Sequence, residues 1–449
     1  MLNEMKSRFA GKKLFKMLFA FAASAILLTG CQDRTELTAP NAPNPKSGSA
    51  DFTRFVTIGN SLTAGYQSGS LYESAQIYSY GNLIAGQLGS SYVQPLVSEP
   101  GTKGRIEIVT VSPFVTSINS NSGTPINLNY APPYNNLGVP GAFLYDALKA
   151  TDSLNCFTAV NGGPKNPMFN LILRGIGTQY QQAKLLQPSF ITFWLGNNDI
   201  LGHATTGGVS PFTPTPTFAF LYAQAADSLN ALAQATGAKV AVANVMDVSV
   251  IPFFTTVGGQ LLMSGVTAVW GITGTGDTIS MDLTKNYLTL KATEQLSTGK
   301  GLSKSNPLSS AYILDEAEIA TVKNTVNAYN TTIQSISAAK GFTYVDVNAK
   351  LTSIRANDLS GGTIIDGINF ATTYVTGGIF SLDGVHPTSR GQGIIANEFI
   401  NAINATLGAS IPKINVSTIP GSLEFAGKVS FGKYGLPLFP QGALDNLLF

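Results

Sequence analysis

Histidine is nearly missing from this chain: His203 and His386 are the two in 449 residues. Cysteine is as scarce, with Cys31 and Cys156 far apart in sequence. Zinc sites draw on clustered cysteines, histidines and carboxylates at ligand spacing, so no metal site is expected. The scarcity also narrows any histidine base to two side chains. Charge is sparse at 12% of residues and net +2, against roughly 25% in ordinary soluble domains. No basic run follows the first residues, so a nucleic-acid partner is not expected. Low charge suits a protein working outside the cytoplasm or near lipid.

What is present begins with an address. Lys6, Arg8, Lys12, Lys13 and Lys16 precede the apolar segment Met17–Leu28. About a dozen apolar residues are too few to span a bilayer and fit the core of a signal peptide. Leu28-Thr29-Gly30-Cys31 follows and resembles the lipobox of bacterial lipoproteins. That resemblance implies removal of residues 1–30, acylation of Cys31 (palmitate among the chains) and a stable membrane anchor. Gln32 after the cysteine favours outer-membrane retention by analogy, while Asp33 and Glu36 could serve as a surface-export signal. Residues 32–50, rich in Pro, Asn and Ser, read as a flexible tether. Cys156 is then a single thiol, expected as a small buried apolar side chain.

From residue 51 onward, 44% hydrophobic content is ample for a large core. Phe55-Val56-Thr57-Ile58, Pro188–Leu195, Lys239–Val245 and Phe342–Val347 read as buried strands. Helices are expected near 74–88, 217–236, 315–339 and 389–407, with a turn and short helix over 136–150. Strands alternating with helices define an α/β fold, a parallel sheet with helices on both faces. Residues 89–135 are expected as an inserted hairpin or lid, Arg105–Val111 pairing with Thr124–Tyr130. Residues 253–310, with an apolar patch at Leu261–Trp270, are expected as an insertion over the site. The domain is bounded at 51–411, and 412–449 is an extension of unassigned role.

Four short stretches fall at strand ends or before a helix: Gly59-Asn60-Ser61-Leu62, Asn136-Leu137-Gly138, Gly196-Asn197-Asn198-Asp199 and Asp383-Gly384-Val385-His386-Pro387. Acyl transfer needs a nucleophile, a base, a group to orient the base, and donors for the oxyanion. Ser61 can be the nucleophile and His386 the base. Asp383, three residues before His386 in a Gly-containing turn, can fix its tautomer. The Ser61 and Gly138 backbone N–H groups and the Asn198 amide can serve as donors.

In this order the four stretches resemble the blocks of the SGNH (GDSL-type) hydrolase superfamily, across about residues 52–407. The resemblance implies a flavodoxin-like three-layer fold and cofactor-free ester hydrolysis through an acyl-enzyme. It gives Ser61, His386 and Asp383 the catalytic roles, and Gly138 and Asn198 the oxyanion. Asn60 departs from the usual Asp before the nucleophile; it is nearly isosteric, carries no charge and adds an amide donor. No Gly-x-Ser-x-Gly elbow occurs, which argues against the main rival serine fold. Asp199 is expected to hold its turn, His203 to be structural at the mouth of the site, and Phe193 and Trp194 to be core. Trp270 is a candidate to line an acyl pocket.

The expected protein is thus a monomeric, membrane-anchored esterase or lipase of the cell envelope, acting on an acyl lipid or an acylated carbohydrate. The alternatives are a carbohydrate O-acetyl esterase and a non-catalytic lipoprotein that binds a glycan or partner on the same fold.

Overall fold

The computed structural model describes residues 45–421, apart from 103, 112 and 113. The signal segment, Cys31, residues 32–44 and residues 422–449 lie outside the described residues. Among the described residues no helix is long and apolar enough to cross a membrane.

Five short strands build one sheet: β1 (Phe55–Gly59), β2 (Asn136–Gly138), β3 (Phe190–Trp194), β4 (Lys239–Ala243) and β5 (Thr343–Val345). Their order is β2-β1-β3-β4-β5, and every pair is parallel. Parallel sheets are covered on both faces, so their strands read as continuous apolar runs. Every residue of β1 and β3 is indeed buried. β2 was expected as a turn; with Asn and Gly in three residues it is a strand only because β1 pairs with it. Gly59 lies opposite both Gly138 and Trp194, so three strands end level. The chain order reverses between β1 and β3, where open α/β sheets bind ligands beyond the strands' carboxyl ends.

The helices that cover or flank this sheet are α1 (Ser61–Ala64), α2 (Tyr80–Leu88), α3 (Gln179–Leu185), α4 (Asn198–Thr205), α5 (Thr215–Thr236), α6 (Pro252–Met263), α7 (Glu316–Lys340) and α8 (Ser389–Leu407). α2 packs on β1 and α8 on β5, and the two helices meet each other; α3, α5 and α7 pack on β1, β4 and β5 and meet through α5. Successive strand side chains point to opposite faces. Trp194 accordingly meets Tyr80 of α2 and Phe399 of α8, with ring centroids 5.8 and 6.1 Å away. Phe193 meets Tyr222 of α5 at 6.0 Å. The result is the expected three-layer α/β fold.

Two insertions differ in detail from expectation. Ile106–Val111 pairs with Phe114–Ile118, not with Thr124–Tyr130. Pro125 lacks the N–H a ladder requires, and it makes a single bridge to Val97. The 253–310 insertion contributes α6 and a hairpin of Ala268–Ile272 with Thr278–Asp282. The Phe253 N–H donates to Gly384 O at 3.0 Å and Phe253 O accepts from Leu290 N at 2.8 Å. This insertion therefore buttresses the Asp383–His386 turn.

Both ends of the domain reach past 51–411. The Ser49 N–H donates to Leu407 O, and Lys46 bridges Ser410. Asn397 exchanges two 2.8 Å hydrogen bonds with the backbone of Ile414, and Ile414, Val416 and Ile419 are buried.

Candidate active site

Gly59 lets β1 turn sharply. A Cβ there would lie 2.0 Å from Thr63 Oγ1 and 2.9 Å from Trp194 O. Asn60 caps α1 through Oδ1, which accepts the Leu62 N–H at 3.0 Å. An aspartate would do the same, so the asparagine keeps the turn's hydrogen bond without the charge. Ser61 opens α1 and is 3% exposed.

His386 approaches from the far end of the chain. Its Nε2 is 2.9 Å from Ser61 Oγ and its Nδ1 2.9 Å from Asp383 Oδ2. Gly384, at φ 72°, takes the left-handed conformation that folds Asp383 under the imidazole. Asp383 is wholly buried. Its Oδ1 accepts the N–H groups of His386 (2.8 Å) and Val385 (2.9 Å) and the Ser381 hydroxyl (3.1 Å). Its Oδ2 also accepts the Gly69 N–H at 3.1 Å. Burial pushes this carboxyl up, but His386 beside it and these N–H donors hold it below the ordinary carboxylate value. The Tyr66 ring packs edge-on against the imidazole, centroids 4.9 Å apart.

The expected donors divide. Asn198 opens α4, four residues past β3, and its amide donates one hydrogen to Ala142 O at 2.9 Å; a second N–H remains on the same nitrogen. Gly138 is different. Its N–H already donates to Asn136 Oδ1 at 2.9 Å, so it is not available to an oxyanion. The glycine has another cause: a Cβ would sit 2.5 Å from Ala64 N, where β2 passes against α1. Three residues on, Gly141 adopts φ 79° in the turn that Asn198 holds through Ala142. Its N–H takes no hydrogen-bond partner among the described residues.

Two buried aspartates fix the next residues of this loop. Asp199 Oδ2 accepts the Leu144 N–H at 2.9 Å, and its Oδ1 the Thr213 hydroxyl at 2.8 Å. It reaches well beyond its own turn. Asp146 accepts from Phe143 N at 2.8 Å and Phe157 N at 2.7 Å. Burial pushes the Asp146 carboxyl up to about 7 and the Asp199 carboxyl up to about 6. Sequence reading missed Asp146, because its partners are backbone groups of a loop with no periodic signal.

His203 stays apart from this cluster. Its Nδ1 is 2.6 Å from Ser210 O and its ring lies against Phe212. Trp270 sits in the inserted hairpin beneath Lys304, whose Nζ is 5.9 Å from the ring centroid. Neither lines the cavity beside Ser61. That cavity measures about 30 Å³ and is bounded by Ser61, His386, Asn60, Asn197, Asn198 and Asp247 together with Leu62, Leu201, Met246, Val248, Ile251 and Val385. A larger groove lies elsewhere, lined by Phe114, Phe370, Tyr374 and Arg390 among others, and holds no member of the Ser–His–Asp cluster.

The fold is that of an α/β hydrolase-like protein. The chain belongs to the GDSL-like lipase/acylhydrolase family, whose pattern matches residues 55–399, and so is a carboxylic ester hydrolase in general class. No curated relative matches it. Among solved structures it is similar to an acetylxylan esterase from Geobacillus stearothermophilus (12% identity, 78% of this chain and 93% of that one, TM-score 0.34). It is also similar to an extracellular lipase from Streptomyces rimosus (17%, 78% and 98%, TM-score 0.27). A phospholipase A1 from Streptomyces albidoflavus is comparable (12%, 79% and 100%, TM-score 0.30).

Proposed function

We propose that the protein hydrolyses carboxylic esters through a Ser61 acyl-enzyme. His386 Nε2 takes the Ser61 proton as Oγ attacks the ester carbonyl, and the carbonyl electron pair moves onto its oxygen. Collapse of this tetrahedral species expels the alcohol, which receives the proton from Nε2. Water, activated by the same nitrogen, then cleaves the acyl–Ser61 bond and releases the acid. Asp383 holds Nδ1–H and stabilises the imidazolium that forms in each half-reaction.

The oxyanion is received by the free hydrogen of Asn198 Nδ2 and by the N–H groups of Ser61 and Gly141. Ser61 is the first residue of a helix, where an N–H has no intrahelical acceptor. Gly141 replaces Gly138 in this role because the Gly138 N–H is engaged by Asn136. The observation that carries the reading is the pair of 2.9 Å contacts on either side of one imidazole.

Replacing Ser61 with Ala should abolish hydrolysis of p-nitrophenyl acetate while leaving the circular dichroism spectrum unchanged. Full activity in that variant removes Ser61 from the role.

We also infer that the enzyme is anchored at the outer membrane through acylated Cys31. The support is the sequence Leu28-Thr29-Gly30-Cys31 after a basic and apolar leader. Cells fed labelled palmitate should mark the wild type and not Cys31→Ala; equal labelling contradicts the anchor.

A further inference from the structure

The cavity beside Ser61 has a size as well as a place. A water molecule needs roughly 10–15 Å³ of such space, so about 30 Å³ holds about two water-sized groups. Six of its walls are the apolar side chains of Leu62, Leu201, Met246, Val248, Ile251 and Val385. All six are buried by nearly all their surface, from Ile251 at 2% exposed to Met246 at 8%. They come from four separate parts of the chain, so widening the space requires several packed elements to move together. Protein interiors are close-packed and resist such change.

An apolar wall suits a hydrocarbon, not the hydroxyl-bearing half of a sugar ester, which would leave polar groups unpaired there. The nucleophile and the base border the same space. The half of the ester that enters it is therefore small and apolar, and it stays next to Oγ when the alcohol departs.

We propose that this cavity is an acyl-chain gauge, and that the substrates are esters of acetyl- or propionyl-sized acids. The proposal rests on the ester-hydrolase reading above and deepens it. It favours a carbohydrate or other O-acetyl ester over a long-chain acyl lipid, even though the insertion after β4 is apolar. Ile251, the residue just before α6, and Leu201 of α4 are two of its apolar walls.

The test is hydrolysis by the full-length protein of p-nitrophenyl esters that share one alcohol and differ in acyl length. One or two methylenes in a tight apolar pocket are worth roughly tenfold to a few hundredfold in kcat/KM. Butyrate should therefore fall at least about tenfold below acetate, and octanoate at least about a hundredfold. Ile251→Ala should raise butyrate relative to acetate by about tenfold. Should that variant fail to fold, Ile251→Val should move the ratio in the same direction.

Wild-type kcat/KM for octanoate equal to or above that for acetate overturns the gauge while leaving the hydrolase reading intact. Equal acetate hydrolysis by wild type and Ser61→Ala overturns the hydrolase reading, and the gauge with it. An acyl-length ratio unmoved by either Ile251 variant, beside a steep wild-type profile, also overturns it, because the limit then lies outside this cavity.

Discussion

Asn136 Oδ1 accepts the N–H of Gly138 at 2.9 Å, across a single intervening residue. The same side chain donates through Nδ2 to Thr63 O and Gln94 Oε1, at 2.9 and 3.1 Å. One carboxamide thus ties the short edge strand β2 to the helix that carries Ser61, and it consumes the donor that spacing alone assigns to catalysis. Asn136→Ala frees the Gly138 N–H and leaves buried groups unpaired, at about 1–3 kcal/mol. Urea unfolding should show that loss, with no gain in kcat. A rise in kcat would return Gly138 to the oxyanion.

Asn198→Ala removes the amide proposed to receive the developing charge. Loss of one such donor costs about 10²–10³ in kcat. Steady-state kinetics on p-nitrophenyl acetate should show that fall with KM little changed. The variant also loses the hydrogen bond to Ala142 O, so a thermal melt should accompany the kinetics. An unchanged kcat contradicts the assignment.

Asp383→Asn retains shape but turns an amide toward His386 Nδ1, so the imidazole takes the wrong tautomer. The expected fall in kcat is on the order of 10³–10⁴. Stability should respond to acid as well. A carboxyl held below its ordinary value stabilises the fold above that value, and the contribution disappears as pH falls through the folded value.

Asp199 works in the opposite sense. Its carboxyl holds a proton up to about pH 6 when folded, against an ordinary value of 3.8. Its contribution is greatest below 3.8 and is lost as pH rises through about 6. Asp199→Asn can still accept from Leu144 N and donate to the Thr213 hydroxyl, so it should fold. Urea midpoints from pH 4 to 7.5 should decline less steeply in this variant than in wild type. Identical slopes contradict the buried charge.

The parts of the molecule legible in the sequence are those with a strong local pattern. The unbroken apolar runs of β1 and β3 and the ends of α8, Ser389 and Leu407, are written in composition and spacing. Asp383 and His386 were legible because a turn of three residues brings a carboxylate to a ring nitrogen without help from the rest of the fold. β2 was not, because three residues containing Asn and Gly become a strand only through pairing with β1. Gly138 misled because its meaning is steric and depends on the approach of Ala64, 74 residues earlier in another element. Asp146 and the long reach of Asp199 to Leu144 were invisible for the same reason: their partners are backbone N–H groups whose positions the tertiary fold decides.

The central claim is that Ser61 Oγ is a nucleophile activated by His386. Incubating wild type, Ser61→Ala and His386→Ala with a fluorophosphonate, followed by peptide mass spectrometry, tests it most directly. Wild type should carry the phosphonate on Ser61, His386→Ala should react at least about 10³-fold more slowly, and Ser61→Ala should not react. Labelling of Ser61 at the same rate with and without the His386 imidazole, or no labelling of folded wild type, would contradict it.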